Sequence, residues 1–328
     1  MTYKSVLTAE ETQVAIKFIK DKFQHNLARR LNLKRVTAPV FVRADSGLND
    51  DLNGVERKVS FTARGISGQL EVVQSLAKWK RVALTKYKFR LGEGLYTDMN
   101  AIRPDEKPDR THSVFVDQWD WEKVIDVKDR NTDYLKKTVK SIVAALDQTA
   151  KQVAKAFPTV DISVTKDVYF VTSQELEDMY PSLTPAQREQ EITRQHKTVF
   201  VMQIGGLLKS GAKHDDRAPD YDDWKLNGDL LVWNDVLGEA MELSSMGIRV
   251  DADSLVYQLI AKGCDEKLKL PYHSDLVSGK LPYTIGGGIG QSRLCMFLLK
   301  KRHIGEVQVS VWPDDQLELC AEENITLL

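Results

Sequence analysis

Two strand-like runs, Gly228–Trp233 and Gly238–Ser245, are separated by a short polar turn. No helix fits between them, so they read as neighbouring strands of opposite direction. A purely parallel sheet is therefore a poor description of this chain. Other segments join the pattern. Lys58–Thr62, Gln69–Val73, Val168–Thr172 and Thr198–Ile204 are short and strand-like, the last ending at Gly205-Gly206. The extended run Val36–Val42 contains Pro39, which cannot donate to a ladder, so it belongs on an edge or at an interface. Helices alternate with these strands. Thr8 and Glu11 form a capping box ahead of Ile16, Ile19, Phe23, Leu27 and Leu31 at helical spacing. Asp133–Ala156 is amphipathic, with Leu135, Val139, Ile142, Val143 and Leu146 inward. Thr184, Pro185 and Gln187 start a further helix, and Asp251–Gly263 closes on a glycine stop.

A length of 328 residues suits one large domain or two ordinary ones. The net charge of −1 implies no general affinity for nucleic acid or an anionic membrane. Cys264, Cys295 and Cys320 show no paired spacing, which argues against a disulfide framework or structural zinc and suits a reducing cytosol. The histidines show no ligand spacing. There is no signal peptide, and no apolar run is long enough to span a bilayer.

Polar residues gather in three places. From Ile102 to Glu122 an Arg103, Asp105, Glu106 cluster precedes a charged loop, Lys107–Arg110, and then an alternating segment. On a strand, Val114, Val116, Gln118, Asp120 and Glu122 share one face, and Phe115, Asp117, Trp119 and Trp121 share the other. The first face starts apolar and becomes polar, as the floor of a polar pocket does. Such a floor, with Arg103 beside it, could hold a zwitterion next to a phosphate; a solvated hairpin with a surface ion pair is the other reading. Gln74–Lys80 places Gln74, Lys78 and Lys80 where a strand ends and a helix begins, a common position for binding residues. Asp45–Gly54 is a polar loop of Asx and Gly turn chemistry. Finally, Gly286–Arg293 precedes the apolar helix Leu294–Leu299. Glycines permit close backbone approach, and a helix start offers amides to an anion. This run lacks the Lys-Ser/Thr of a P-loop and follows no opening βαβ unit.

Taken together, these segments resemble class II aminoacyl-tRNA synthetases. Arg103–Glu106 is similar to motif 2, Gly286–Arg293 to motif 3, and Pro39 stands where motif 1 carries its interface proline. Gln74–Lys80 and Gln118-Trp-Asp120 resemble the aspartate-recognition elements of the aspartyl and asparaginyl members. The wording Ser-Leu-Ala-Lys-Trp-Lys, Gly92-Glu-Gly-Leu-Tyr, Arg-Pro-Asp-Glu, Asp-Gln-Trp-Asp-Trp-Glu, Ala218-Pro-Asp-Tyr-Asp-Asp-Trp224 and Glu242-Leu-Ser-Ser-Met-Gly-Ile-Arg249 resembles one family more closely, the ammonia-dependent (type A) asparagine synthetases. The resemblance spans essentially the whole chain, and its one departure is a short link from Trp224 to Leu226. It implies a single α+β catalytic domain over 1–328, a class II synthetase-like antiparallel sheet flanked by helices, and a cytoplasmic homodimer.

The implied reaction joins L-aspartate and ammonia, using ATP with magnesium, to give L-asparagine, AMP and pyrophosphate through a β-aspartyl-adenylate. The resemblance casts Arg103, Gln118 and Lys80 as catalytic. Arg103 would bridge the α-phosphate and the attacking carboxylate, and Arg293 would sit against adenine or the γ-phosphate. Glu106, Asp229 and Glu242 complete the ATP site, the last two as magnesium ligands on neighbouring strands. Because the side-chain carboxylate must be activated, aspartate would lie turned round relative to a synthetase substrate. Arg103 and Gln118 would hold the side-chain carboxylate, Lys80 and Arg249 the α-carboxylate, and Asp120, Ser75 and Asp50 the ammonium. The first alternative is an aspartyl- or asparaginyl-tRNA synthetase, but no room is left before Thr8 for an anticodon-binding barrel. A non-catalytic paralogue is disfavoured by the retained Arg103, Glu106, Asp229, Glu242 and Arg293. A glutamine-dependent synthetase would need cysteine after Met1, where Thr2 stands, so free ammonia is the expected nitrogen donor.

Overall fold

The structure, a computed structural model, describes residues 3–50, 52 and 56–328. Its strands are β1 (Leu33–Arg35), β2 (Phe41–Arg43), β3 (Ser60–Phe61), β4 (Leu70–Val72), β5 (Gly94–Ile102), β6 (Phe115–Val124), β7 (Tyr169–Thr172), β8 (Thr198–Met202), β9 (Asp222–Asn234), β10 (Glu239–Arg249) and β11 (Thr284–Gly290). Its helices are α1 (Ala9–Leu31), α2 (Ala77–Lys86), α3 (Thr132–Ala156), α4 (Ser173–Met179), α5 (Pro185–His196), α6 (Ala252–Ala261), α7 (Pro271–Val277), α8 (Gln291–Leu298) and α9 (Asp314–Glu322). Eight strands form one sheet in the order β1-β5-β6-β11-β10-β9-β8-β7. Only the outermost pairs, β1/β5 and β7/β8, are parallel; every interior pair is antiparallel. The β9–β10 hairpin anticipated from its short turn lies inside this sheet. The Trp224–Leu226 link that departs from the family wording is simply part of strand β9.

One face of the sheet is covered by α1 and α3, and the largest apolar cluster lies there. Trp119 and Trp121 are fully buried in it beside Phe23, Leu27, Val139 and Ile142. The amphipathic period of α3 explains the match, since its inward residues recur at helical spacing. The capping boxes at Thr8–Glu11 and Thr184–Gln187 are both present. With Trp119 and Trp121 facing α1, the alternation of β6 must turn Gln118, Asp120 and Glu122 to the other face. That second face is built differently. Val199, Val201 and Leu231 pack against α4 and α5 at one end, leaving the centre polar.

Several expected strands are shorter than the sequence suggests. Of Val36–Val42, only Phe41 and Val42 fall within a strand, β2, and Pro39 precedes it. β2 is an edge of a small sheet ordered β2-β4-β3, as a proline-bearing segment should be. In the loop Asp45–Gly54, residues 51 and 53–55 lie outside the described ones. Among the described residues, no helix is long and apolar enough to cross a membrane.

Candidate active site

The polar face of β6, β11 and β10 floors a cavity of about 280 Å³. β11 owes its glycines to this floor. A Cβ on Gly286 would overlap the Glu122 carboxylate, and one on Gly288 would overlap the Gln118 amide. Both side chains therefore lie flat across bare backbone, as glycine alone permits. In β10 the register shifts between Glu242 and Ser244. That bulge changes the phase of the strand, so that Glu242 and Arg249 both serve the polar face although their spacing is odd.

Arg249 and Lys80 are the most buried cations that line the cavity. Arg249 is 2% exposed; its Nε meets Glu122 Oε1 at 3.0 Å, its Nη2 Glu122 Oε2 at 2.7 Å, and its Nη1 Asp222 Oδ1 at 2.5 Å. Burial works against the guanidinium's charge, but the two acids outweigh it and push its pKa up. Burial pushes Glu122 up, yet Arg249 reverses this and leaves it below the usual range, whereas Asp222 stays above it. A guanidinium has five N–H donors. These contacts engage three nitrogens, leaving a second N–H on each terminal nitrogen for a ligand. Lys80 Nζ is ion-paired with Asp120 Oδ1 and donates to Gly287 O at 2.9 Å. Burial pushes its ammonium pKa down, against the pull of Asp120. Asp120 Oδ2 is buried without a hydrogen-bond partner.

Arg103 follows β5 directly. Its Nη2 donates to Gln74 O at 3.2 Å, and its Nε is buried with no partner. Glu106 lies one tight turn on, its N–H donating to Arg103 O at 3.2 Å. Opposite, Arg293 at the start of α8 bonds through Nε to Thr111 O at 3.2 Å and through Nη1 to Glu242 O at 3.3 Å. Its Nη1 also lies 3.7 Å from Glu242 Oε2. Arg293 thus ties the loop after Arg103 to β10.

Asp50, Ser75, Lys80, Arg103, Glu106, Gln118, Asp120, Glu242, Arg249 and Arg293 all line this one cavity. Asp229 does not. It stands on β9 across from Ser245, with Oδ2 ion-paired to Arg217 and Oδ1 buried without a partner. Burial, with Glu242 and Glu189 adding their charge, pushes its carboxyl up in spite of Arg217. Three residues were missed in the sequence: Glu122 and Asp222, which hold Arg249, and Arg217, which holds Asp229. Glu122 was visible as the last polar residue on the β6 face. Asp222 and Arg217 flank or lie within the Ala218–Trp224 wording, whose acids offered no periodicity to separate them.

Among the described residues, no three His, Cys, Asp or Glu side chains cluster as a complete metal site. Asp229 and Glu242 are nonetheless hard oxygen donors, and Asp229 Oδ1 is buried with no hydrogen-bond partner. Such donors would suit a magnesium ion that takes its other ligands from phosphates and water, as this ion commonly does.

Comparison with known proteins agrees with this geometry. A family model described as aspartate-ammonia ligase matches residues 10–324. The aspartate–ammonia ligase of Clostridium tetani is 56% identical over 99% of this chain and 96% of its own length. That of Bacillus cereus strain AH187 is 54% identical over 99% of both chains. Among solved structures, asparaginyl-tRNA synthetase of Pyrococcus horikoshii, complexed with asparaginyl-adenylate, superposes with a TM-score of 0.66 at 16% identity. It is matched by 92% of this chain over 70% of its length. Aspartyl-tRNA synthetase of Entamoeba histolytica gives a TM-score of 0.60 at 15% identity, over 93% of this chain and 60% of that one. The fold is thus the α+β class II synthetase fold, and the chain belongs to the aspartate–ammonia ligase family, enzymes that form a C–N bond.

Proposed function

We propose that this enzyme makes L-asparagine from L-aspartate, ammonia and ATP through a β-aspartyl-adenylate, releasing AMP and pyrophosphate. A carboxylate is a poor electrophile. If its oxygen displaces pyrophosphate from the α-phosphorus of ATP, the resulting mixed anhydride has AMP as a good leaving group. Ammonia then attacks the acyl carbon, the C–N bond forms and the C–O bond to AMP breaks. No covalent enzyme intermediate is needed; the protein's task is positioning and fixed charge.

The observation that carries this reading is that one cavity holds two separate sets of cationic donors. The buried Lys80 and Arg249 lie at one, with N–H donors of Arg249 to spare. Arg103, with its unpartnered Nε, lies at the other. Aspartate has two carboxylates, and this arrangement suits both at once. Lys80 and Arg249 would clamp the α-carboxylate, Arg in the bidentate manner. Asp120 Oδ2 and Ser75 would accept from the α-ammonium. Arg103 and Gln118 would hold the side-chain carboxylate against the α-phosphate. Glu106 and Arg293 would frame the nucleotide. Asp229 and Glu242 would hold magnesium, which when bound neutralises phosphate charge; Arg217 must then share Asp229 with the ion. In this proposal the enzyme works in the cytoplasm as a homodimer whose interface includes the segment around Pro39.

The test is a product assay on purified protein with aspartate and ATP, with and without ammonium. AMP should appear in proportion to asparagine. ADP as the stoichiometric product would overturn the adenylate route, and charging of tRNA would replace it with a synthetase activity.

A further inference from the structure

Asp50 lies between β2 and β3, and Asn49 and Asp50 are pinned to their neighbours. The Asp50 N–H donates to Asn49 Oδ1 at 2.9 Å, and that oxygen also accepts from Gln74 N–H at 2.9 Å. Asn49 Nδ2 reaches Glu71 Oε2 at 3.0 Å and Val72 O at 3.2 Å. One buried asparagine therefore fastens Asp50 to β4 and to the segment leading into α2. Asp50 itself is 1% exposed and lines the cavity. Its Oδ1 accepts the Leu52 N–H at 3.0 Å, while Oδ2 is buried with no hydrogen-bond partner. A buried acceptor left unsatisfied is costly, which favours a ligand that donates to it. Behind it, Lys78 Nζ meets Asp220 Oδ2 at 2.8 Å, and His273 Nε2 lies 2.9 Å from the same oxygen. Lys78, whose charge acts on Asp50, is thus paired with another acid. Burial, aided by Asp220, pushes the Asp50 carboxyl up, although Lys78 and, more weakly, Arg103 pull it down.

The reaction proposed above brings in two ammonium groups, that of aspartate and that of the nitrogen donor. Among the described residues, two carboxylates lining the cavity have a buried oxygen without a partner, Asp120 and Asp50. Asp120 is joined to Lys80, at the end assigned to the α-carbon of aspartate. Asp50 is joined through Asn49 to Gln74, whose carbonyl accepts from Arg103 at 3.2 Å, and Arg103 is assigned to the side-chain carboxylate where nitrogen must arrive. We propose that Asp50 forms the ammonium subsite: Oδ2 binds the incoming ammonium ion and takes one proton from it, leaving neutral ammonia beside the acyl carbon. The inference rests on the adenylate reading. The lone pair of that ammonia then forms the C–N bond. The second proton passes from the tetrahedral ammonium to the departing phosphate of AMP and on to water, the C–O bond breaks with its electron pair on AMP, and Asp50 returns its own proton to water.

Hydroxylamine separates this role from others, because it is a much weaker base than ammonia and is already neutral at neutral pH. It can attack an acyl-adenylate without first losing a proton. In Asp50→Asn, kcat/KM for ammonium should fall about 100-fold or more, the scale of a lost general base. Aspartyl-hydroxamate formation should fall far less, so the ratio of the two rates should drop by at least about tenfold. Aspartate-dependent exchange of labelled pyrophosphate into ATP, measured without ammonium, should persist in the variant. A parallel loss with both nucleophiles would overturn the proposal. So would a loss of exchange, which would place Asp50 on aspartate itself. If Asp50→Asn does not fold, Asp50→Ser, whose hydroxyl can accept the Leu52 N–H, gives the same ratio. Wild-type protein unable to exchange pyrophosphate would instead refute the adenylate reading, and this inference with it.

Discussion

Arg249 gives the sharpest test of how aspartate lies in the cavity. It is held by Glu122 and Asp222, and deleting it would leave two buried acids without their cation, at a cost of about 3–5 kcal/mol in stability. Arg249→Leu would therefore mix lost recognition with lost folding. Arg249→Lys keeps a positive charge against both acids and removes the planar fork. If that fork grips the α-carboxylate, the lost charge-assisted bonding is worth about 1.5–3 kcal/mol, or roughly 10- to 150-fold in discrimination. The assay compares kcat/KM for aspartate with that for β-alanine, which lacks the α-carboxylate, using ATP consumption with ammonium present. Wild-type enzyme should strongly prefer aspartate. Arg249→Lys should lose that preference by the stated factor, mainly through weaker use of aspartate. An unchanged preference in a folded variant would show that Arg249 is only the counter-ion of Glu122 and Asp222, and the turned-ligand arrangement would fall.

Gly286→Ala should destabilise the protein by about 1–3 kcal/mol and impair aspartate use, because the added methyl displaces the Glu122 carboxylate from Arg249; a melting curve and the aspartate KM check it, and a neutral result in both would remove the steric account of the glycine run. Asp229→Asn and Glu242→Gln should each weaken the response to magnesium more than the binding of aspartate, because ligand carboxylates act through the ion; unchanged magnesium dependence in both would take them out of the metal role. The protein should sediment as a dimer at micromolar concentration, and a fully active monomer would contradict the interface assigned to the Pro39 segment.

The sheet was legible because it depends on local rules. A short turn demands antiparallel strands, and the alternation that puts Trp119 and Trp121 in the core turns Gln118 and Asp120 to the opposite face. The glycine run was legible as a place of close approach. What it approaches was not, since the overlap is with Gln118 and Glu122 on another strand. Asp229 shows the limit most clearly. Its strand and its nearness to Glu242 follow from the hairpin. Its ion pair with Arg217 depends on how a loop folds back over β9, and no periodicity encodes that. The bulge in β10 is similar: a strict alternation would have separated Glu242 from Arg249, and only the register shift brings them to one face.

The central claim is that the side-chain carboxylate of aspartate becomes bonded to the α-phosphorus of ATP, and isotope transfer tests it directly. Aspartate labelled with oxygen-18 in its side-chain carboxylate is converted with ATP and ammonium, and the AMP is weighed by mass spectrometry. An adenylate leaves one labelled oxygen in each AMP formed, since the bridging oxygen departs with phosphorus when ammonia attacks carbon. AMP free of label, alongside labelled asparagine, would contradict the account.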